Sequence, residues 1–137
     1  MVRKFLLCIA VSTLAHVATG ADLQLEITNI TEPGGTINWS LFDSPGHFQQ
    51  NQNPVMTARN RVDGESLQLT LHDLPPGTYA IKLFHDANGN GELDTNLVGM
   101  PVEGYGFSND AGRFGPAAFE EAAVTLEGDT RITVRVR

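Results

Sequence analysis

From Leu23 onward the apolar residues of this chain recur at every second position. Leu23, Leu25 and Ile27 alternate with Gln24, Glu26 and Thr28; Ile37, Trp39 and Leu41 alternate with Asn38, Ser40 and Phe42; Leu67, Leu69 and Leu71 alternate with Gln68 and Thr70. Successive side chains of an extended strand point to opposite faces, so this pattern sets one apolar face on a core and one polar face in water. Tyr79, Ile81 and Leu83 continue it within Thr78 to His85, and a weaker run spans Val55 to Val62. Alternation returns over Ala122 to Leu126, then as Ile132, Val134 and Val136 against Arg131, Thr133 and Arg135. Turn residues separate the runs at Pro33-Gly34-Gly35, Asp63-Gly64 and Glu127-Gly128-Asp129, and Ser44 to Pro54 reads as a loop. About seven short strands without a sustained helical period predict an all-β fold. The expected architecture is an antiparallel Greek-key sandwich of immunoglobulin or transthyretin type, with a closed barrel as the other candidate.

The aperiodic stretch from Asp86 to about Glu121 reads as one long loop insertion in a single domain. A length of 137 residues suits one core and is too short for two, and 41% hydrophobic with 18% charged residues is the balance of a folded chain.

The N-terminus has a different character. Arg3 and Lys4 precede an apolar run from Phe5 to Val17, and small residues Ala18-Thr19-Gly20 lead to Ala21. This three-part pattern predicts a signal peptide over residues 1–20 and an exported domain over 21–137, periplasmic or extracellular. The apolar run is short for a membrane span, so no span is expected after signal removal. Cys8, the single cysteine, falls inside the signal segment, and the exported domain is expected to hold no disulfide. Subtracting Arg3 and Lys4 from 9 basic residues leaves seven against 16 acidic ones, a net charge of −9. An acidic domain is a poor partner for nucleic acid or an anionic membrane, since both require a basic face.

Leu74-Pro75-Pro76-Gly77-Thr78-Tyr79 has the L-x-x-G-x-Y spacing of a tyrosine corner, in which a Tyr entering a strand returns its hydroxyl to the backbone upstream. A Pro-Pro-Gly turn with a packed Tyr gives the same residues without that bond.

The sharpest chemical motif follows His85. Asp86, Asn88, Asn90, the Glu92 carbonyl and Asp94 have the D-x-N-x-N-G-x-x-D spacing of a calcium loop, with Gly91 at its sharp turn. Calcium takes six to eight oxygen ligands in a flexible cage, which carboxylate, amide and carbonyl oxygens at this spacing supply in part. The twelfth position, where a bidentate Glu is usual, holds Leu97. The same Asn-Gly pairs also serve a plain solvated turn.

Beyond it, Gly99 to Asp110 leads into Arg113-Phe114-Gly115-Pro116 and Phe119-Glu120-Glu121. P-P-G-T-Y, H-D-x-N-G-N-G-x-L-D, E-G-Y-G-F-S-N and R-F-G-P, in this order, resemble the bacterial uncharacterised family called domain of unknown function 2141. The resemblance covers essentially the whole chain after the signal. It implies an exported sandwich-like domain and no particular reaction. Ala117 stands where relatives often place a second proline after R-F-G-P.

A catalytic reading has little support from the residues. His47, His72 and His85 lie in no zinc-binding spacing, no G-x-S-x-G elbow occurs, and adjacent His85 and Asp86 would point to opposite faces of a strand. The sequence therefore predicts a non-enzymatic exported binding or structural module, with calcium ordering one loop. Its partner, a protein or a small molecule, would meet Tyr105, Phe107, Arg113, Phe114 and Phe119. The same aromatics could instead line the concave pocket of a small-ligand carrier. A carboxylate-dependent hydrolase, pairing Glu103 with Glu120 or Glu121, is the remaining alternative.

Overall fold

The computed structural model describes residues 19–137. The predicted signal segment lies outside the described residues apart from Thr19 and Gly20. Eight strands, numbered in chain order, build two sheets. Strands β1 (Ala21–Thr28), β4 (Leu67–Leu74) and β8 (Thr130–Arg135) form the first, in the order β4-β1-β8. The second runs β3 (Met56–Arg61), β2 (Thr36–Phe42), β5 (Gly77–Asp86), β6 (Tyr105–Phe107), and β7 (Val124–Leu126) pairs with the start of β5. The chain is an all-β sandwich, as the alternation predicts.

Register shows how the alternation becomes a core. Leu23, Leu25 and Ile27 of β1 lie opposite Leu71, Leu69 and Leu67 of β4, and Leu25 and Ile27 lie beside Ile132 and Val134 of β8. In the facing sheet, Trp39 sits between Ala58 and Leu83, and Leu41 between Met56 and Ile81. These inward rows make one buried cluster. Each fully buried Leu, Ile or Phe contributes about 1.5–3 kcal/mol relative to exposure, so the two inward faces are the main source of stability. Tyr79 is buried, and its hydroxyl donates to the Pro75 carbonyl at 2.6 Å, which forms the tyrosine corner.

Four details depart from the sequence reading. The pair β1–β8 is parallel, because β8 enters the first sheet by crossing from the second and so runs the same way as β1. Helix α1 (Pro45–Gln50) occupies the stretch read as a loop; Ser44 accepts from the His47 N–H at its start and Asn51, at φ 53°, ends it. A helix of 6 residues is too short to display a period. Strand β6 has 3 residues centred on Gly106 and gives no alternation to read. Helix α2 (Phe119–Ala122) takes the first residue of the run read as a strand from Ala122.

A second, smaller apolar cluster lies beyond the sandwich. Phe42, Phe48, Ala80, Ala111, Phe119 and Ala122 are buried in it, with Phe107 packed against it. The Phe48 ring meets Phe42 edge-on at 5.6 Å and Phe119 at 5.8 Å. Ser108 stitches this cluster to the sheet: its buried Oγ accepts from the Ile81 N–H at 2.9 Å and donates to the Ala122 carbonyl at 2.5 Å.

Candidate functional site

The outer face of the second sheet carries the candidate site. Because Cβ directions alternate, Lys82, Phe84 and Asp86 of β5 all point away from the core, while His85 points inward and its Nε2 meets the Gly34 carbonyl at 2.7 Å. Pairing sets Arg59, Asn38, Phe84 and Tyr105 in one row across β3, β2, β5 and β6. Thr57, Ser40, Lys82 and Phe107 form the next row. These two rows floor an open groove of about 570 Å³, whose rim includes Asn51 at one end and Gly91, Glu92 and Leu93 at the other. That volume lies in the usual range for small-ligand sites, about 300–1,000 Å³.

The far wall exists because Asp86 ends β5 on the outer face, which makes the chain curl over the groove. Its Oδ1 accepts from the N–H groups of Gly89 and Asn90 at 2.8 and 3.1 Å, and its Oδ2 from Gly91 at 2.8 Å. Asp86 is thereby buried with its charge spread over backbone donors. The turn brings Gly91, at φ 80°, against Arg59: a Cβ there would stand 2.9 Å from Nη2.

The predicted calcium ligands do gather in this turn. Asn88 and Asn90 both donate through Nδ2 to the Asp94 carboxylate, the second at 2.7 Å, while their Oδ1 atoms accept from the N–H groups of Asn90 and Glu92. Glu103, which the spacing argument did not include, bridges the two ends of the loop. Its oxygens accept from Ala87 N–H at 3.0 Å and Asp94 N–H at 3.1 Å. No three acidic or histidine side chains gather at one point among the described residues. Both amides are committed to the loop's own hydrogen bonds, their oxygens to backbone N–H groups and their Nδ2 groups to Asp94, so a cation here would have to displace the amide bonds to Asp94.

The predicted ligand-binding residues are divided among three places. Tyr105 and Phe107 line the groove, their rings 6.0 Å apart and edge to face. Phe119 is buried in the second cluster. Phe114 is fully exposed, on a separate hollow of about 500 Å³ that Arg113 also lines. Arg113 donates to Asp110 at 2.7 Å, and Asp110 also takes a bond from Arg137. The Arg113 bond, with Arg137 behind it, holds the Asp110 carboxyl below its ordinary value.

Sequence reasoning missed Arg59, Lys82 and Phe84. Lys82 donates to the Phe48 carbonyl and lies 4.3 Å from the centre of the Phe48 ring, and burial lowers its pKa. The signal that could have found them is the outward half of the alternation: Phe84 is an aromatic at a position where β5 should be polar.

An all-β sandwich with a cationic, aromatic groove on one face is the class that these observations define. The profile of a family described as "Uncharacterized protein conserved in bacteria (DUF2141)" matches residues 25–134, and the chain belongs to this family. No curated protein and no solved structure matches the chain.

Proposed function

We propose that the protein is an exported, non-enzymatic binding module whose ligand lies in the groove over the outer face of the second sheet. The groove itself carries the reading: Arg59 and Lys82 as cations, Phe84, Tyr105 and Phe107 as aromatic surface, and hydroxyls at Ser40 and Thr57 share one concavity. A few polar groups set among apolar walls are what orient and hold a small molecule. This joins two expectations from the sequence, a binding module and an aromatic pocket, with Tyr105 and Phe107 kept and Arg113, Phe114 and Phe119 serving elsewhere. Two of the three carboxylates of the hydrolase reading, Glu103 and Glu121, have other work. Glu103 holds the Ala87 and Asp94 N–H groups, and Glu121 accepts from the Ala118 N–H at 3.4 Å.

Calcium, in this proposal, binds the loop from Asp86 to Asp94 and stiffens the groove's end wall, with Asp94 and the Asn88, Asn90 and Glu92 oxygens as ligands beside Asp86. Export follows from the tripartite N-terminus, and β1 begins at Ala21, directly after the proposed cleavage point. Mass spectrometry of the exported protein should find Ala21 at or near the new N-terminus, and a full-length chain in the cytosol contradicts export. The groove is tested by NMR mapping of a fragment library: shifts centred on Phe84, Tyr105 and Phe107, lost in Tyr105→Ala, support it. Shifts centred on Arg113 and Phe114 contradict it.

A further inference from the structure

We propose that the ligand of this groove is an organic anion with a flat apolar body, its carboxylate or phosphate held by Arg59 and its body laid over Phe84 and Tyr105. The inference rests on the groove being the binding site and assigns its ligand class. Charge placement is the first observation. The chain has 16 acidic residues against 9 basic ones, yet neither Arg59 nor Lys82 has a carboxylate within 4.0 Å among the described residues. Arg61, two residues further along β3, does pair, with Asp63 at 3.7 Å. Glu92 stands on the groove's rim without reaching either cation.

Presentation is the second observation. Gly91 packs directly against the Arg59 guanidinium, so the turn built on Asp86 limits where that side chain can go. A guanidinium offers a planar fork of donors that matches a carboxylate or phosphate in two-point contact. Lys82 is committed to the Phe48 carbonyl and ring, and so contributes positive potential from the floor more than a direct contact. Lys82 lies two strand spacings across the sheet from Arg59 and two residues along it, roughly 12 Å between backbones, so the two do not share one anchor point.

The third observation is the wall. Phe84 and Tyr105 are paired neighbours on β5 and β6, both half-buried, and both lie in the same row as Arg59. An anion at Arg59 with a flat body extending toward β6 meets Asn38, then Phe84, then Tyr105. A small inorganic anion would leave those rings in water, and a neutral body would leave the guanidinium without its partner.

Calorimetry and aromatic-resonance NMR on the exported protein test this with four probes: naphthalene-2-carboxylate, 2-naphthyl phosphate, naphthalen-2-ylmethanol and inorganic phosphate. The two naphthyl anions should bind at least tenfold more tightly than the neutral alcohol and than phosphate alone, and their ratio tells which head group the site favours. Arg59→Gln should weaken the naphthyl anions at least tenfold with its melting temperature unchanged, because Arg59 is exposed. Arg61→Gln, on the same strand but paired with Asp63, should leave binding as it was. If the alcohol binds as tightly as the anions, or Arg59→Gln binds as well as the parent, while Phe84, Tyr105 and Phe107 signals shift, the anion inference is overturned and the groove reading stands. If no probe moves those signals, the groove reading fails with it.

Discussion

Gly91 links the two halves of this account at the scale of one residue. Its φ of 80° strains any side chain, and a Cβ there would displace the mobile end of Arg59. A Cβ in left-handed backbone costs roughly 1–2 kcal/mol, so Gly91→Ala should lower the melting temperature and, by pushing Arg59 aside, weaken anion binding in step. Unchanged affinity in a destabilised variant would separate the loop from the site. Tyr79→Phe removes the bond to Pro75 and should cost about 0.5–1.5 kcal/mol, read by denaturant unfolding, the usual net worth of one hydrogen bond whose acceptor, on exposed Pro75, water can reach. A change near zero would mean that water replaces the hydroxyl.

Asp110 gives a prediction in pH. Arg113 lowers its folded-state pKa below the ordinary 3.8, so the stability it contributes is complete above that value and is lost as pH falls through the lowered one. Arg113→Ala should raise the Asp110 pKa toward 3.8 in an NMR titration while the domain stays folded at neutral pH. An unmoved titration would leave Arg137 as the whole cause.

Among the elements, the loop on Asp86 and the short segment from β6 to α2 carry the most information. Asp86 caps the loop through three backbone donors whether or not a cation binds, so Asp94 is the better position for testing calcium. Calcium should raise the melting temperature by mass action on the folded state, and Asp94→Asn should remove most of that rise. Equal rises in both proteins, or none, would count against the site. Ser108→Ala leaves the Ile81 N–H buried without its acceptor and should cost about 1–3 kcal/mol.

These elements also show what the sequence could and could not reveal. Strands β1, β2, β4, β5 and β8 are legible because each turns an alternating apolar row toward the core, even where β2 and β5 also bury Phe42, Ala80 and Asp86 on the outer face. The parallel pairing of β1 with β8 was not legible, since strand direction depends on a crossover that leaves no local pattern. E-G-Y-G-F-S-N read as a run of aromatics among glycines. Its glycines in fact admit close packing: a Cβ on Gly104 would strike Val136, and one on Gly106 would strike the Arg135 carbonyl.

At the scale of the described domain, two apolar clusters and an open groove divide the aromatic residues between packed interior and accessible surface. The sequence singled out aromatics by their nearness along the chain, which brought in Phe114 and Phe119 with Tyr105 and Phe107. Folding instead groups Tyr105 and Phe107 with Phe84, Lys82 and Arg59, which come from β5 and β3. Such a site is legible only once register is known, because neighbours across a sheet need not be neighbours in sequence.

A crystal structure of the chain from Ala21 to Arg137 grown with calcium and naphthalene-2-carboxylate tests the central claim most directly. The account predicts the naphthyl ring over Phe84 and Tyr105 with its carboxylate on the Arg59 guanidinium. A naphthyl ring seated between Arg113 and Phe114, with the groove filled only by water, would contradict it.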